Sequence, residues 1–273
     1  MSDLATRAGT DALADAGLLP TQVDLLVMGT FTGDQRLPPS AATVQTNLGM
    51  SGKFLQIDTA CTGFIDALLV AKALVETGVH KRALVVCADV LTSVLDPADW
   101  LSQTVFGDAA AAVVLDTVTD GSGFGPVHSG SDSHLAEYVR IHDSGSRRPA
   151  GDSFMRIKFG DVQRWGVQRM ADAARRALEE HGLNPADVDW LVPHQASASM
   201  IKLAAAELGI DPNRVALTYP RFGNTGGSSI LLAWNTLYRE GLLREGDVIL
   251  LCAVGAGMAW GSALYRWGRP RLA

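Results

Sequence analysis

The sequence predicts an α/β fold made of two similar halves, each alternating strands with helices. Three observations carry this reading. Short apolar runs at 25–30, 83–88, 109–115 and 248–254 have strand length and little polar alternation, the pattern of strands covered by helices on both faces. Helix-length segments separate them; in one, Ile65, Leu68, Leu69 and Ala73 fall on a single face. The order is used twice, and Leu84-Val85-Val86-Cys87-Ala88 is similar in texture to Leu250-Leu251-Cys252-Ala253, which suggests duplication with a site between the halves.

The elements follow in order. A helix over 4–16 precedes a strand at 25–30, a helix at 41–48 and a strand at 54–57 that leads to Cys61. A helix over 63–76 stops at Gly78, and strands at 83–88 and 109–115 complete a first half, residues 1–120. The second half, 121–273, reads as a strand at 125–129, a long amphipathic helix at 162–180, a strand at 190–192, a helix at 197–208, a strand at 215–218, a helix from 228 to 239, and adjacent strands at 248–254 and 259–265. The halves differ at one point: the second has a strand before its first helix and the first has none.

Of the 273 residues, 47% are hydrophobic and 19% charged, enough for a large buried core and too ordered a composition for long disorder. The net charge of −6 and the lack of basic runs with interleaved aromatics exclude a nucleic-acid surface, and the pair Arg147–Arg148 reads as solvated. The most apolar stretch, 248–264, is broken by Gly255, Gly257 and Gly261 and so reads as two strands around a turn, not as a membrane span. Residues 1–11 show no secretory pattern. Three cysteines without paired spacing argue against a disulfide framework and a zinc site, so a cytoplasmic enzyme without metal is expected.

Cys61 ends a strand and begins a helix, where the positive end of the helix dipole and unpaired N–H groups favour a thiolate; a lowered pKa is the expectation. Cys87 and Cys252 sit inside apolar runs and read as small buried hydrophobes. His194 lies at the C-terminal end of a strand, where α/β folds hold catalytic groups. Asn224 stands in Arg221-Phe222-Gly223-Asn224-Thr225-Gly226-Gly227, which lacks the lysine and spacing of a phosphate loop. Gly255-Ala256-Gly257 is either a hairpin turn or a source of backbone N–H groups for a ligand oxygen. Cysteine, histidine and asparagine together also occur in cysteine proteases, but the protease signatures around the cysteine are absent.

Five segments in order give the chain a resemblance: Asp58-Thr59-Ala60-Cys61-Thr62-Gly63-Phe64, Val105-Phe106-Gly107-Asp108-Ala109-Ala110, Trp190-Leu191-Val192-Pro193-His194-Gln195-Ala196, Gly223-Asn224-Thr225 and Trp260-Gly261-Ser262-Ala263-Leu264. The sequence resembles the β-ketoacyl-acyl-carrier-protein synthase III family of the thiolase superfamily. That resemblance implies a five-layered αβαβα fold, a homodimer, and no resident cofactor, with CoA or phosphopantetheine thioesters as substrates. It implies that Cys61 takes an acyl group from acyl-CoA, and that His194 and Asn224 then support decarboxylative condensation with malonyl-acyl carrier protein. The backbone N–H groups of Cys61 and Ala256 become candidates for the oxyanion hole, with alanine standing where the family usually has glycine.

Other departures concern specificity. Trp100 stands where family members often have an arginine against the CoA adenine, Leu37 where an aromatic often floors the acyl pocket across the dimer, and Ser199 where a basic residue often docks the carrier protein. Leu37 and Trp100 are thus expected in the substrate pocket, with donors longer than acetyl and a role in specialised metabolism. The alternatives are acyl transfer to an oxygen or nitrogen nucleophile without decarboxylation, and a catalytically silent dimer partner. The resemblance also implies an N-terminal strand before the first helix, expected in the middle of the first sheet, so a form extended through the upstream reading frame should melt higher and load acyl groups faster than this one; equal melts and equal loading would refute this.

Overall fold

The buried strands send alternate residues into two different cores, and this alternation builds the fold. In the computed structural model, which describes residues 1–141, 145–146, 148–149 and 153–268, the chain opens with α1 (Ser2–Asp15), β1 (Leu25–Gly29), α2 (Ser40–Leu48) and β2 (Lys53–Ile57). Next come α3 (Gly63–Glu76), β3 (Ala83–Asp89), the short α4 (Trp100–Val105) and β4 (Ala109–Leu115). The second half runs through β5 (Gly123–Ser131), the paired short strands β6 (Val139–Ile141) and β7 (Met155–Ile157), α5 (Phe159–Glu180), β8 (Trp190–Pro193) and α6 (Ala198–Leu208). It ends with α7 (Tyr219–Phe222), α8 (Ser229–Arg239), β9 (Val248–Gly255) and β10 (Ala259–Arg266). Arg147 lies outside the described residues.

Two four-stranded mixed sheets form, ordered β2-β1-β3-β4 and β5-β10-β9-β8. In β1, Leu25 and Val27 face one core while Leu26 and Met28 face another; in β9, Ile249 and Leu251 face the first of these and Leu250 and Val254 a third. The shared core holds α3 and α8 between the sheets, through Phe64, Ile65, Leu68, Ile230 and Leu237. Helices α1 and α2 cover the outer face of the first sheet, and α5 and α6 that of the second. The layers are therefore αβαβα, as expected. Each fully buried Leu, Ile or Phe in them contributes roughly 1.5–3 kcal/mol of burial.

Three details differ from the sequence reading. First, β1 pairs directly and in parallel with both β2 and β3, Leu25 opposite Lys53 on one side and Ala83 on the other, so the middle of the first sheet has no gap. The reason is topological: β5 pairs along β10 at the sheet edge, and β4, which pairs antiparallel with β3, is the first-half counterpart of β10. A strand matching β5 belongs at the free edge of β4. Second, the similar runs around Cys87 and Cys252 are out of phase, with Cys87 facing the central core and Cys252 the outer one; both are fully buried.

Third, residues 215–218 do not form a strand. They make one isolated bridge, Leu191 to Val215, and the buried Gln195 side chain takes the place of a ladder. Its amide nitrogen donates to the carbonyls of Pro193 (2.8 Å) and Ala216 (3.0 Å), and its oxygen accepts from the N–H groups of Thr218 (2.8 Å) and Tyr219 (3.0 Å). All its hydrogen-bonding capacity is spent on main chain beside His194. Gln195→Leu orphans these groups at about 1–3 kcal/mol each. The variant is expected to lose about 3 kcal/mol or more in urea unfolding; a loss below about 1 kcal/mol would show that the segment re-pairs without the amide.

Candidate active site

Cys61 sits in a short 3-10 turn, Ala60–Thr62, that runs straight into α3. Ala60, just before it, is the only non-glycine residue with positive φ (48°) among those described, a strained conformation of the kind that functional sites hold. The thiol is partly open to the space in front of it. The end of β9 passes close by: a Cβ on Gly255 would lie 3.1 Å from the Cys61 nitrogen and 3.0 Å from the Thr62 nitrogen, so only glycine lets the two backbones approach this closely. Ala256, next in line, is not among the positive-φ residues, so alanine is accommodated there without strain.

Asn224 lies between α7 and α8 and is held by the segment after α4. Its N–H donates to the Val105 carbonyl (2.8 Å), and its own carbonyl accepts from Gly107 N (2.9 Å). A Cβ on Gly107 would come within 2.3 Å of the Phe222 carbonyl oxygen, which explains the glycine in Val105-Phe106-Gly107. The Asn224 Oδ1 accepts from Gly226 N (3.0 Å), and that bond fixes the orientation of the amide and leaves Nδ2 as the free donor. Sequence reasoning had found these segments separately; the structure shows that one pins the other.

His194, 1% exposed, follows β8, and its N–H donates to the Cys252 carbonyl at 2.7 Å. Its Nδ1 lies 2.7 Å from Ser229 Oγ, at the start of α8, and the same oxygen accepts from Gln195 N (3.2 Å). Burial pushes the imidazole pKa down to about 4, against a weaker opposing pull from the Gly226 carbonyl, so the ring is neutral above that pH. The expected lowering at Cys61 is corrected. Burial pushes its thiol up to about 12, and the nearby Asp89 carboxylate adds to the rise; at this depth desolvation outweighs the helix end.

Asp89, at the end of β3 and 1% exposed, was not found in the sequence, where it is one more acid beside an apolar run. Its Oδ1 accepts from the Thr30 and Thr32 hydroxyls (3.1 and 2.9 Å) and from Phe31 N and Thr32 N. Burial raises its pKa to about 6 in spite of these bonds. Ser229 was missed as well, because a serine opening a helix looks like any cap.

Cys61, His194, Asn224 and Ala256 line one chamber of about 580 Å³. Its other walls are mostly apolar, among them Phe31, Leu91, Leu101, Phe106 and Met200, and Ser199 stands in the wall as well. Leu37 and Trp100 do not line this chain's own chamber: from α4 it is Leu101 and Val105 that line it, while Trp100 is 73% exposed and Leu37 82% exposed. The arrangement joins a thiol nucleophile, a neutral imidazole and a carboxamide donor around an apolar space.

Sequence models of 3-oxoacyl-[acyl-carrier-protein] synthase III match residues 55–133, and the C-terminal model of the same enzyme matches residues 178–267. The β-ketoacyl-[acyl-carrier-protein] synthase III of Caldanaerobacter subterraneus subsp. tengcongensis is 35% identical over 98% of this chain and 83% of its own length. The crystal structure of 3-oxoacyl-(acyl carrier protein) synthase III from Pseudomonas aeruginosa superposes with a TM-score of 0.93 at 34% identity, covering 98% of this chain and 83% of that one. A priming β-ketosynthase from a polyketide biosynthetic pathway gives a TM-score of 0.90 at 32% identity, over 97% of this chain and 81% of that one. Matched from end to end in sequence and in layer order, the chain belongs to the β-ketoacyl-acyl-carrier-protein synthase III family and is a condensing acyltransferase of thiolase fold.

Proposed function

We propose that Cys61 is acylated by an acyl thioester of CoA or of a carrier protein, and that His194 and Asn224 then drive decarboxylative condensation with malonyl-acyl carrier protein. The observation that carries this reading is the convergence of these three residues, from three separate segments, on one chamber. The thiol is protonated at rest, so its proton leaves as the new C–S bond forms and ends on the departing thiol. The oxyanion formed at the acyl carbon is met by the backbone N–H groups of Cys61 and Ala256.

In the second half-reaction the malonyl carboxylate departs as carbon dioxide and its bonding electrons pass into an enolate. Two N–H donors stabilise the enolate oxygen: Asn224 Nδ2, whose oxygen is already committed to Gly226, and His194 Nε2, when the Ser229 hydroxyl donates to Nδ1. A neutral imidazole is the form this role needs, since it donates one proton in a hydrogen bond without giving it up. The enolate carbon attacks the Cys61 thioester, the β-ketoacyl product leaves on the carrier, and Cys61 takes back a proton. Each donor of this kind is worth about 3 kcal/mol in a site that excludes water.

The apolar walls suit acyl groups longer than acetyl, in fatty acid or specialised-metabolite synthesis. Trp100 offers an exposed ring to an adenine, and a homodimer is part of the reading, supported by the exposed Leu37 and by β2 at a sheet edge. So is a cytoplasmic location: the three cysteines are unpaired, and no described helix is long and apolar enough to cross a membrane.

Intact-mass measurement after exposure to acyl-CoA should show one acyl group, lost in Cys61→Ala and kept in Cys87→Ala. His194→Ala and Asn224→Ala should still load but release carbon dioxide from malonyl-carrier protein about 10²–10³-fold more slowly; equal loss of both half-reactions would mean that they serve the nucleophile or the fold instead. Because the thiol pKa is raised, iodoacetamide should alkylate Cys61 about tenfold faster for each pH unit between about 7 and 9.5. A plateau near neutral pH would show a thiolate at rest.

A further inference from the structure

The turn that carries Cys61 and the turn that carries Asn224 are one piece of backbone built twice. Asp58-Thr59-Ala60-Cys61-Thr62-Gly63 matches Asn224-Thr225-Gly226-Gly227-Ser228-Ser229 position by position. Thr59 has φ −135° and ψ 27°, and Thr225 has φ −106° and ψ 28°. Ala60 and Gly226 follow at φ 48° and 62°. The Thr62 hydroxyl donates to the Thr59 carbonyl, and the Ser228 hydroxyl to the Thr225 carbonyl, both at 2.8 Å. Each turn enters its helix at matching angles, Gly63 at φ −50°, ψ −35° and Ser229 at φ −61°, ψ −36°.

In this repeat Asp58 stands where Asn224 stands. Each side chain turns back to the N–H two residues on: Asn224 Oδ1 accepts from Gly226, and the Ala60 N–H supports the Asp58 carboxylate. Both residues line the chamber. What remains differs in kind. Asn224 keeps a free NH₂ donor, while Asp58 keeps an oxygen with no hydrogen-bond partner among the described residues. Partial burial holds the Asp58 pKa above the usual carboxylate value, against the opposing pull of the Ala60 N–H, and the basic residue of the chamber wall, Arg140, is paired with Glu137. Asp58 is thus the one carboxylate in a mostly apolar wall, three residues from the nucleophile, and in the free chamber it is exposed to solvent.

We infer that Asp58 is a specificity-determining residue, which accepts a hydrogen bond from the acyl group held on Cys61 and selects donors bearing a hydroxyl or amino group over plain alkyl donors. This rests on the acyl-loading reading above. An acyl chain held on Cys61 and lying along this wall displaces solvent from the Asp58 carboxylate, so an alkyl chain leaves it unpaired while a hydrogen-bonding chain satisfies it. The second-half turn has already committed its matching position to a donor, and the first-half turn supplies the complementary acceptor.

The test is competitive loading of the full chain with N-acetylcysteamine thioesters of butyrate, 3-hydroxybutyrate and 3-aminobutyrate, read as the mass added to Cys61. The unsubstituted protein is expected to load the hydroxylated and amino donors about tenfold or more ahead of butyryl. Asp58→Leu should erase that preference and leave butyryl loading at least as fast. Asp58→Asn, which keeps an acceptor without the charge, should retain part of the preference for the hydroxylated donor and lose that for the amino donor. Equal or faster loading of butyryl by the unsubstituted protein would overturn the inference, as would an Asp58→Leu variant slowed equally toward all three, since that marks a purely structural turn. Butyryl loading without discrimination removes this inference alone; if none of the three donors loads, the acyl-loading reading falls and this inference with it.

Discussion

Helices α3 and α8 lie buried between the two sheets, and their N-terminal turns come together. The first N–H groups of a helix have no partner within it, and a buried helix end needs one from elsewhere. Neither helix has a side-chain cap: Asp58 and Asn224 bond the N–H groups of Ala60 and Gly226 in the turns that precede them, and both turns open on the chamber. Glycines cluster where this meeting leaves no room for a side chain. A Cβ on Gly29 would lie 2.9 Å from the Gly63 carbonyl, and one on Gly226 would lie 2.8 Å from an Asp89 oxygen. The chamber and its donors follow from joining two helix starts inside a five-layer stack.

The same burial sets the charges. Cys61 stays a thiol and His194 stays neutral because each would lose more hydration on ionising than its surroundings return. Asp89 is held with a raised pKa by the same cause, and its hydrogen bonds to Thr30, Phe31 and Thr32 tie the chamber wall at Phe31 to the end of β3. With Cys61 and His194 neutral at rest, the donors around them give their hydrogen-bonding strength to charge that appears only during the reaction.

The sequence by itself determined the α/β class and the strand and helix order, and it singled out the candidate site residues. Apolar runs such as 83–88 and 248–254 have the length and β-branched content of covered strands, and the boundaries of Ala83–Asp89 and Val248–Gly255 fell within a residue or two of them. Cys61, His194 and Asn224 were visible because each stands at the end of an element, where a side chain is free to serve a site. Tertiary structure decided the rest. The sign of the Cys61 shift depends on desolvation by residues distant in sequence, and Leu37 and Trp100 face outward because of how their own loop and helix pack. Residues 215–218 gave up their strand because a glutamine twenty or so residues earlier bonds their backbone, and β5 lies at a sheet edge because strand order is a long-range choice. Periodicity records which residues are buried; it does not record which partner buries them, and the strand order, the 215–218 segment and the Cys61 shift each turn on a partner far away in the chain.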